Sequence, residues 1–366
     1  MSNPENFVTR FDAVFLHGKQ ADMESSRPRV FVFCWPSHIG GADTKLVYLL
    51  KLLHRDIWFT VIPNDEERLK EREWVKYLER LGIHSTLLER LPRDLTGCAF
   101  SLSNTRFFAD RIAHRAKERG LKIVWSSEMM WHHTNELDVV REGVIDYVLY
   151  ASEFQRSILQ PNYGDLPGRV TGNYIDADDF PFLERRNPTF TIGRLSRHDP
   201  LKYPENFPVF YESLGLEDTA FRVMAWSHEL ARKYRWHEFD ERWDLLAPAE
   251  EPTTRFLQSL DLFVYPLGHR FQESWGRSTV EAMLTGAIPL VPWGHHFEQL
   301  LIDGESGFFC DDIGEWREHA QHLRKDADFR RRIAQQAQEH ARLKLCNAEE
   351  HRQVWLGAFR AAMGQE

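Results

Sequence analysis

From Arg29 onward, short apolar runs alternate with amphipathic stretches. Residues 29–35 (RVFVFCW) are mostly β-branched and aromatic, and they are followed by Gly40 and Gly41 and then by leucines at helical spacing over 46–53. This order predicts a strand, a glycine turn and a helix. It continues with predicted strands at 57–62, 121–125 and 145–151 and predicted helices at 66–80, 107–119 and from 152 onward. Strands that alternate with helices favour a parallel sheet covered on both faces.

A second series of the same kind follows a segment rich in Asp, Asn and Pro at 173–188. Its predicted strands are 190–192, 222–226, 262–265 and 288–291, and its predicted helices are 253–259 and 279–284. A charged helical stretch at 314–345 and a final helix at 349–363 complete the pattern. We therefore predict two doubly wound α/β domains, and a length of 366 residues agrees with two domains of about 150 residues each.

Composition excludes several classes of protein. The chain has 46 Lys and Arg against 55 Asp and Glu, a formal net charge of −9, so no chain-wide basic field favours a dedicated nucleic-acid-binding protein. No apolar run reaches the roughly 20 residues that span a membrane, and the first residues lack a signal-peptide pattern, so we expect a cytoplasmic protein. The four cysteines are widely spaced and indicate neither a zinc site nor a disulfide framework.

Candidate chemistry lies where loops follow predicted strands, because ligands of parallel α/β sheets bind at the carboxyl ends of the strands. Gly40 and Gly41 follow the first strand, where they let the backbone approach a phosphate or a sugar, or simply form a tight turn. Glu273 lies in the loop after the predicted strand 262–265, and Glu281 lies eight residues later on the next helix. Carboxylates on both sides of a helix N-terminus suit sugar hydroxyls beside a diphosphate. The alternative is that both are solvated charges.

The segment 273–289 (ESWGRSTVEAMLTGAIP) resembles the signature of the retaining glycosyltransferases of family 4, which have the GT-B fold. That signature contains two Glu residues separated by seven others. The first Glu begins the motif E-x-F/W-G, and the second begins the motif E-A-M-x-x-G-x-P. Further segments resemble family motifs in the same order along the chain: 40–43 (GGAD), 173–180 (NYIDADDF), 193–195 (GRL) and 298–307 (EQLLIDGESG). The resemblance covers roughly residues 30–345 and implies two Rossmann-like domains that face each other across a cleft.

The resemblance also implies a division of the chain. Residues 1–28 would form an N-terminal extension, 29–175 an acceptor-binding domain and 176–348 a domain that binds the nucleotide sugar. We expect the C-terminal helix, 349–366, to pack back on the first domain.

By the resemblance, Glu273 binds hydroxyls of the transferred sugar and Glu281 binds the ribose of the nucleotide. Arg194 and Lys202 neutralise the diphosphate, although their spacing is wider than the usual family spacing, which makes Arg197 the alternative cation. The catalytic set is therefore Glu273, Arg194 and Lys202. The donor-binding set is Gly40, Gly41, Arg197, Trp275, Gly276, Arg277, Ser278, Thr279 and Glu281.

The chain departs from the family in the loop after the predicted strand 121–125. Family members often have a His there that contacts the donor sugar, whereas this chain has Ser126, Ser127 and Glu128. The residues that remain for sugar or acceptor contacts are Glu128, His132, His133 and His269. For the neighbouring pair of His residues, a solvated loop is the alternative. Adjacent His residues without further ligands make a poor metal site, so we expect no metal.

The function implied is retaining transfer of a sugar from a nucleotide diphosphate sugar to an acceptor hydroxyl, without a cofactor. Two alternatives stay open: a GT-B protein that binds a sugar nucleotide without turnover, and a GT-B nucleotide-sugar epimerase or phosphorolytic enzyme. The sequence does not indicate the donor base, the sugar or the acceptor. Six cations against two carboxylates at 106–122 suit an anionic acceptor or a peripheral membrane contact, or form a solvated helix face.

Overall fold

The structure is a computed structural model that describes residues 27–37, 41–185 and 188–365. The N-terminal half forms a seven-stranded parallel sheet in the order β3-β2-β1-β4-β5-β6-β7. Its strands are β1 (Arg29–Val32), β2 (Trp58–Val61), β3 (His84–Ser85), β4 (Cys98–Leu102), β5 (Lys122–Ser127), β6 (Tyr147–Tyr150) and β7 (Gly168–Val170). Its helices are α1 (Gly41–Leu53), α2 (Arg72–Arg80), α3 (Arg106–Ala109), α4 (Ile112–Lys117), α5 (Glu136–Arg141) and α6 (Glu153–Tyr163).

The C-terminal half forms a six-stranded parallel sheet in the order β10-β9-β8-β11-β12-β13. Its strands are β8 (Phe190–Leu195), β9 (Thr219–Met224), β10 (Trp243–Leu246), β11 (Leu262–Val264), β12 (Ile288–Pro292) and β13 (Phe308–Cys310). The helices are α7 (Phe207–Glu212), α8 (His228–Lys233), α9 (Thr253–Gln258), α10 (Arg277–Thr285), α11 (Phe297–Leu300), α12 (Ile313–Lys325), α13 (Ala327–His340) and α14 (Ala348–Ala362).

In both sheets the chain starts in the middle and winds outward in two directions. The strand order reverses between β1 and β4 in the first sheet and between β8 and β11 in the second. Apolar clusters cover both sheets, as two doubly wound domains require. The predicted fold class is therefore confirmed. Open parallel sheets bind ligands at such a reversal, in the crevice beyond the carboxyl ends of the strands.

The two halves pack directly against each other. The apolar cluster around α10 contains Tyr48, Ala151 and Tyr174 from the N-terminal half. After the second sheet, α14 returns to the first one, where the rings of Trp355 and Phe359 lie 5.9 and 5.4 Å from the ring of Phe100. The two halves are therefore joined by a packed apolar interface.

Three stretches predicted as helical are interrupted. The stretch 107–119 divides into α3 and α4 because Arg111 adopts a left-handed conformation, with φ of +51°. The stretch 66–80 begins as a 3₁₀ turn, Glu66–Lys70, before α2. The stretch 314–345 divides at Asp326, whose carboxylate accepts a hydrogen bond from the backbone N–H of Phe329 and so begins α13.

The sequence pattern also misses β3, β4, β7, β10 and β13. β4 pairs with both β1 and β5, and all five of its residues (CAFSL) are buried. A strand buried on both faces has no alternation of apolar and polar positions, and its Cys and Ser hide the apolar run. β3, β7 and β13 have only two or three residues, which is too short for a period. Of the predicted N-terminal extension, residues 1–26 lie outside the described residues.

Candidate functional site

The signature segment contacts the N-terminal half through Ser274. The Ser274 hydroxyl donates to the carbonyl of Glu128, which follows β5, at 2.9 Å. The Ser152 hydroxyl, at the start of α6, donates to the carbonyl of Ser274 at 2.6 Å. We use "the cleft" for the space bounded by the start of α1, the loop after β5, the loop 265–276 after β11 and the start of α10. All four lie at carboxyl ends of strands, where the topology predicts a ligand site.

Glu273 and Lys202 form a buried ion pair on the C-terminal side of the cleft. Lys202 ends the 3₁₀ turn Pro200–Lys202, and its Nζ lies 2.9 Å from Oε2 of Glu273. The Tyr265 hydroxyl donates to the same oxygen at 3.0 Å. Burial alone would raise the pKa of Glu273, but the Lys202 ammonium and these hydrogen bonds lower it. Glu273 is therefore ionised at neutral pH, and in this state its carboxylate oxygens can only accept hydrogen bonds.

Arg194 lies on β8 with its guanidinium fully buried. Nη1 donates to the carbonyl of Pro266 at 2.7 Å, and Nη2 lies 3.3 Å from the carbonyl of Lys202. The guanidinium carbon is 3.9 Å from the ring centroid of Tyr203 and 4.4 Å from that of Tyr265. Arg194 thus ties the Lys202 turn to the loop after β11. A direct contact of Arg194 with a diphosphate stays a prediction.

Two other predicted residues are exposed near this turn. Arg197 is 42% exposed and pairs with Asp199 at 3.2 Å, and its Nη1 lies 4.0 Å from Sδ of Met129 across the cleft. His269 is exposed in the loop after β11. Arg197 is therefore more accessible to an anion in solution than Arg194 is.

The start of α10 requires glycine. Gly276 has φ of +86°, and a Cβ there would lie 2.9 Å from Cε1 of Phe297. Trp275, just before it, is buried and stacks on His296 with ring centroids 6.2 Å apart. Ser278 and Thr279 occupy the first turn of α10. The backbone N–H of Thr279 donates to the carbonyl of Gly276 at 3.0 Å, and the first N–H groups of a helix attract anions.

Glu281 is buried on the second turn of α10. Its Oε1 accepts a hydrogen bond from Nε of Arg277 at 2.7 Å. Burial raises the pKa of Glu281, and the Arg277 charge opposes that shift. The Arg277 guanidinium lies 4.9 Å from the ring centroid of Tyr48 on α1. Glu281 and Arg277 therefore lie where α10 faces the N-terminal half.

On the N-terminal side, Glu128 is held by two partners that the sequence analysis does not identify. Lys45 of α1 is 1% exposed, and its Nζ lies 2.6 Å from Oε1 of Glu128. Asn173 Nδ2 donates to Oε2 of Glu128 at 3.2 Å. A sequence signal exists for Lys45, since it lies on the face of α1 that carries buried Tyr48 and Leu49. Gly41 begins α1, and Gly40 lies outside the described residues.

His132 and His133 surround the buried carboxylate of Glu136 within the N-terminal half. Nδ1 of His132 lies 3.5 Å from Oε1 of Glu136, and the backbone N–H of His133 donates to Oε2 at 2.7 Å. The ring of His133 lies 5.8 Å from that of Trp125, and burial lowers its pKa. The structure does not show these rings in contact with Glu273, and it places them in a packed cluster instead of a solvated loop.

Two absences hold for the described part of the chain. No group of three or more His, Cys, Asp or Glu side chains there is placed to hold a metal ion. No helix in the same residues combines the length and the apolar character needed to cross a membrane.

Solved structures of similar architecture cover nearly the whole chain. HepE from Anabaena, in complex with UDP and glucose, has a TM-score of 0.70 and 14% identity over 92% of this chain and 100% of its own. A glycosyltransferase from Rickettsia africae has a TM-score of 0.70 and 11% identity over 93% of this chain and all of its own. A sucrose-phosphate synthase from Thermosynechococcus elongatus has a TM-score of 0.67 and 12% identity over the same shares.

These similarities define the class of fold. Two parallel-sheet domains with this topology, together with the match over the full length of these proteins, show that the chain has the GT-B fold. No family model matches the sequence, and no curated protein matches it. At this level of identity the likeness establishes the architecture alone.

Proposed function

We propose that this protein is a retaining glycosyltransferase that moves a sugar from a nucleoside diphosphate sugar to an acceptor hydroxyl. The observation that carries the proposal is the Glu273 and Lys202 pair beside the N-terminus of α10, at the strand-order reversal of the second sheet. An ionised carboxylate accepts sugar hydroxyls, while an ammonium and free helix N–H groups stabilise a diphosphate. HepE, which shares the fold, has been solved with UDP-glucose, and this supports a nucleotide-sugar donor.

The proposed mechanism places rate enhancement at the leaving group. Negative charge develops on the diphosphate as the glycosidic bond breaks, and Lys202 and the first turn of α10 would stabilise it without a metal. Glu273 would hold the sugar by its hydroxyls, and Glu281 would accept hydroxyls of the ribose. The departing phosphate oxygen would take the proton of the acceptor hydroxyl as that hydroxyl attacks from the same face, which retains the anomeric configuration. Arg194 supports this arrangement by fixing the Lys202 turn.

The hydrogen bonds between the two halves at the cleft fit this chemistry. Two hydrogen bonds, which join Ser274 to Ser152 and to Glu128, hold the N-terminal half against the signature segment. Closure excludes water, which would otherwise hydrolyse the donor. A protein that only binds sugar nucleotides would use the same contacts, so turnover is the quantity that separates the two functions.

The test combines binding and turnover. Nucleoside diphosphate sugars, with UDP-glucose first, are screened for thermal stabilisation, because a bound donor stabilises the folded state. Consumption of the stabilising donor is then followed by mass spectrometry with a panel of hydroxyl acceptors, and NMR gives the anomeric configuration of the product. We expect stabilisation, sugar transfer and retention. Stabilisation without any turnover would leave a binding protein, and inversion would exclude the retaining mechanism.

A single substitution ties this activity to the cleft. Glu273→Gln removes the acceptor charge but keeps the side-chain shape, and we expect kcat to fall on the order of 100-fold. Glu305→Gln makes the same change on an exposed residue and is expected to keep wild-type turnover. Equal turnover of both variants would contradict the role of Glu273.

A further inference from the structure

Arg277 connects the two halves of the molecule at the cleft. It is the first residue of α10, and its Nε donates to Oε1 of Glu281 at 2.7 Å. Its guanidinium lies against the ring of Tyr48 on α1, 4.9 Å from the centroid. The side chain is 13% exposed. Arg277 is therefore held in one orientation by a carboxylate on its own helix and by an aromatic face of the opposite domain.

The outer edge of this guanidinium has no partner among the described residues. Nη1 and Nη2 of Arg277 are both buried and neither makes a hydrogen bond. Buried guanidinium nitrogens are usually paired, since leaving a charged donor unsatisfied is unfavourable. Two terminal nitrogens in one plane match two oxygens of a carboxylate or a phosphate. Because Nε already donates to Glu281, the two terminal nitrogens, Nη1 and Nη2, are the donors that remain for an anion.

The other buried cations of the cleft already have acceptors. Lys202 pairs with Glu273, and Lys45 pairs with Glu128. Arg194 donates through both terminal nitrogens, to carbonyls and to the Ser196 hydroxyl. None of these acceptors is bound to Nη1 or Nη2 of Arg277, so an anion bound to those two nitrogens would displace none of these interactions.

The surroundings of Arg277 favour an anion of high charge. Burial lowers the pKa of Lys45, and the nearby positive charge of Arg277 lowers it further. The position at the first residue of a nine-residue helix adds the positive end of the helix dipole. Two cations, Lys45 and Arg277, therefore lie near a helix N-terminus. The two nearby carboxylates are already paired, Glu128 with Lys45 and Glu281 with Arg277.

We propose that Nη1 and Nη2 of Arg277 bind the diphosphate of the donor, while Glu281 holds the guanidinium in place through Nε. This inference rests on the proposed function and adds a residue that contacts the leaving group to it. It also gives donor binding a link to closure. Because the same guanidinium packs on Tyr48, an occupied diphosphate site stabilises the contact between α10 and α1.

The experiment measures which part of the nucleotide Arg277 recognises. Binding of UDP, UMP and uridine is measured by calorimetry for the wild type, Arg277→Gln and Arg277→Lys. We expect Arg277→Gln to weaken UDP binding on the order of 30-fold, UMP binding less and uridine binding not at all. Arg277→Lys keeps the positive charge but loses the planar pair of donors, so its UDP affinity should lie between those of the wild type and Arg277→Gln. Arg331→Gln removes an exposed arginine on α13 and should bind all three ligands like the wild type.

Each other outcome has a definite meaning. If neither the donor screen nor this calorimetry detects binding of a nucleoside diphosphate to the wild type, the proposed function is wrong, and this inference, which rests on it, is wrong as well. If the wild type binds UDP and both Arg277 variants bind it equally well, only the inference fails. If the variants lose uridine and UDP affinity by the same factor, Arg277 acts by supporting the interface, which also overturns the inference. Should Arg277→Gln not fold, Arg277→Lys is decisive by itself. A lower ratio of UDP affinity to uridine affinity than in the wild type supports the inference, and an unchanged ratio overturns it.

Discussion

At the scale of residues, the cleft is organised by oppositely charged side chains that pair with each other. Glu273 faces Lys202, and Glu128 faces Lys45. Removing a charge from water is expensive, and a buried pair compensates only while both partners are present. Such pairs contribute little net stability, although the loss of one partner is strongly destabilising.

Lys202→Met is therefore expected to destabilise the fold, because it leaves the Glu273 carboxylate buried without its cation. We expect a loss of about 3 kcal/mol in the free energy of unfolding, measured by urea denaturation at pH 7. Adding Glu273→Gln to that variant should restore most of the loss, because the uncompensated charge is then gone. If the double variant is as unstable as the single one, the destabilisation comes from lost packing of the Lys202 stem.

His296 gives the protein a dependence of stability on pH. Burial lowers its pKa in the folded chain to about 4, while an unfolded His titrates near its ordinary value of 6.5. Between these pH values the unfolded chain binds a proton that the folded chain does not, so stability falls as the pH falls. The loss reaches up to about 3 kcal/mol for this one group. His296→Gln should flatten the decline of urea midpoints between pH 6.5 and 4.

The control for that measurement is an exposed histidine. His198 lies on the surface of the C-terminal half, and His198→Gln should leave the decline unchanged. An equally steep decline in His296→Gln would show that the buried imidazole does not drive it.

Sequence reasoning identified one side of the cleft better than the other. Glu273 and Lys202 were predicted as parts of one site, and the structure places them 2.9 Å apart. Lys45 and Asn173 were not predicted, because what singles them out is a contact with Glu128 made by three segments distant in sequence. The direct roles of Glu273 and Lys202 in catalysis stay predictions.

At the scale of elements, the turn into α10 shows how the backbone fixes the site. Gly276 combines a left-handed conformation with close approach to Phe297. Gly276→Ala therefore adds conformational strain and a steric clash together, and we expect a loss of about 3 kcal/mol in the free energy of unfolding. Urea denaturation measures this loss, and a weaker affinity for UDP should accompany it.

Gly82→Ala separates the two causes. Gly82 also has a left-handed conformation, with φ of +70°, but nothing lies within 4 Å of a Cβ there. We expect this variant to lose only about 1 kcal/mol, which is the cost of the conformation alone. Equal losses at the two positions would mean that Phe297 moves away freely.

Elements differ in how far the pattern of residues predicts them. α10 and its flanking strands were predicted because a strand, a glycine turn and a helix follow in sequence with clear boundaries. The break at Arg111 was not predicted, since no Gly or Pro marks it and only the tertiary structure holds that residue at φ of +51°. The fully buried strand β4 was missed for a related reason. Its place in the sheet depends on β1 and β5, the strands at its two sides, and not on a local pattern of residues.

At the scale of the whole molecule, the two domains are joined by apolar packing and by a few polar contacts at the cleft. The cluster around α10 includes Tyr48 and Tyr174 from the N-terminal half. Lys51 of α1 also pairs with Asp176 in the segment between the sheets, at 2.7 Å. The proposed donor site lies between the domains, so the strength of these contacts should set how readily the cleft opens.

Ser274 is the residue whose loss should favour the open form most selectively. Its hydroxyl bonds to the Glu128 carbonyl across the domain boundary, and a hydrogen bond of this kind contributes about 1 kcal/mol. Ser274→Ala should shift the equilibrium between closed and open forms about fivefold and weaken donor affinity by at most that factor. Because each domain keeps its own apolar clusters, the urea midpoint should change little. Small-angle scattering and limited proteolysis would report the opening, and Ser157→Ala on the outer face of α6 should alter neither measurement. An unchanged donor affinity in Ser274→Ala would mean that apolar packing alone keeps the cleft closed.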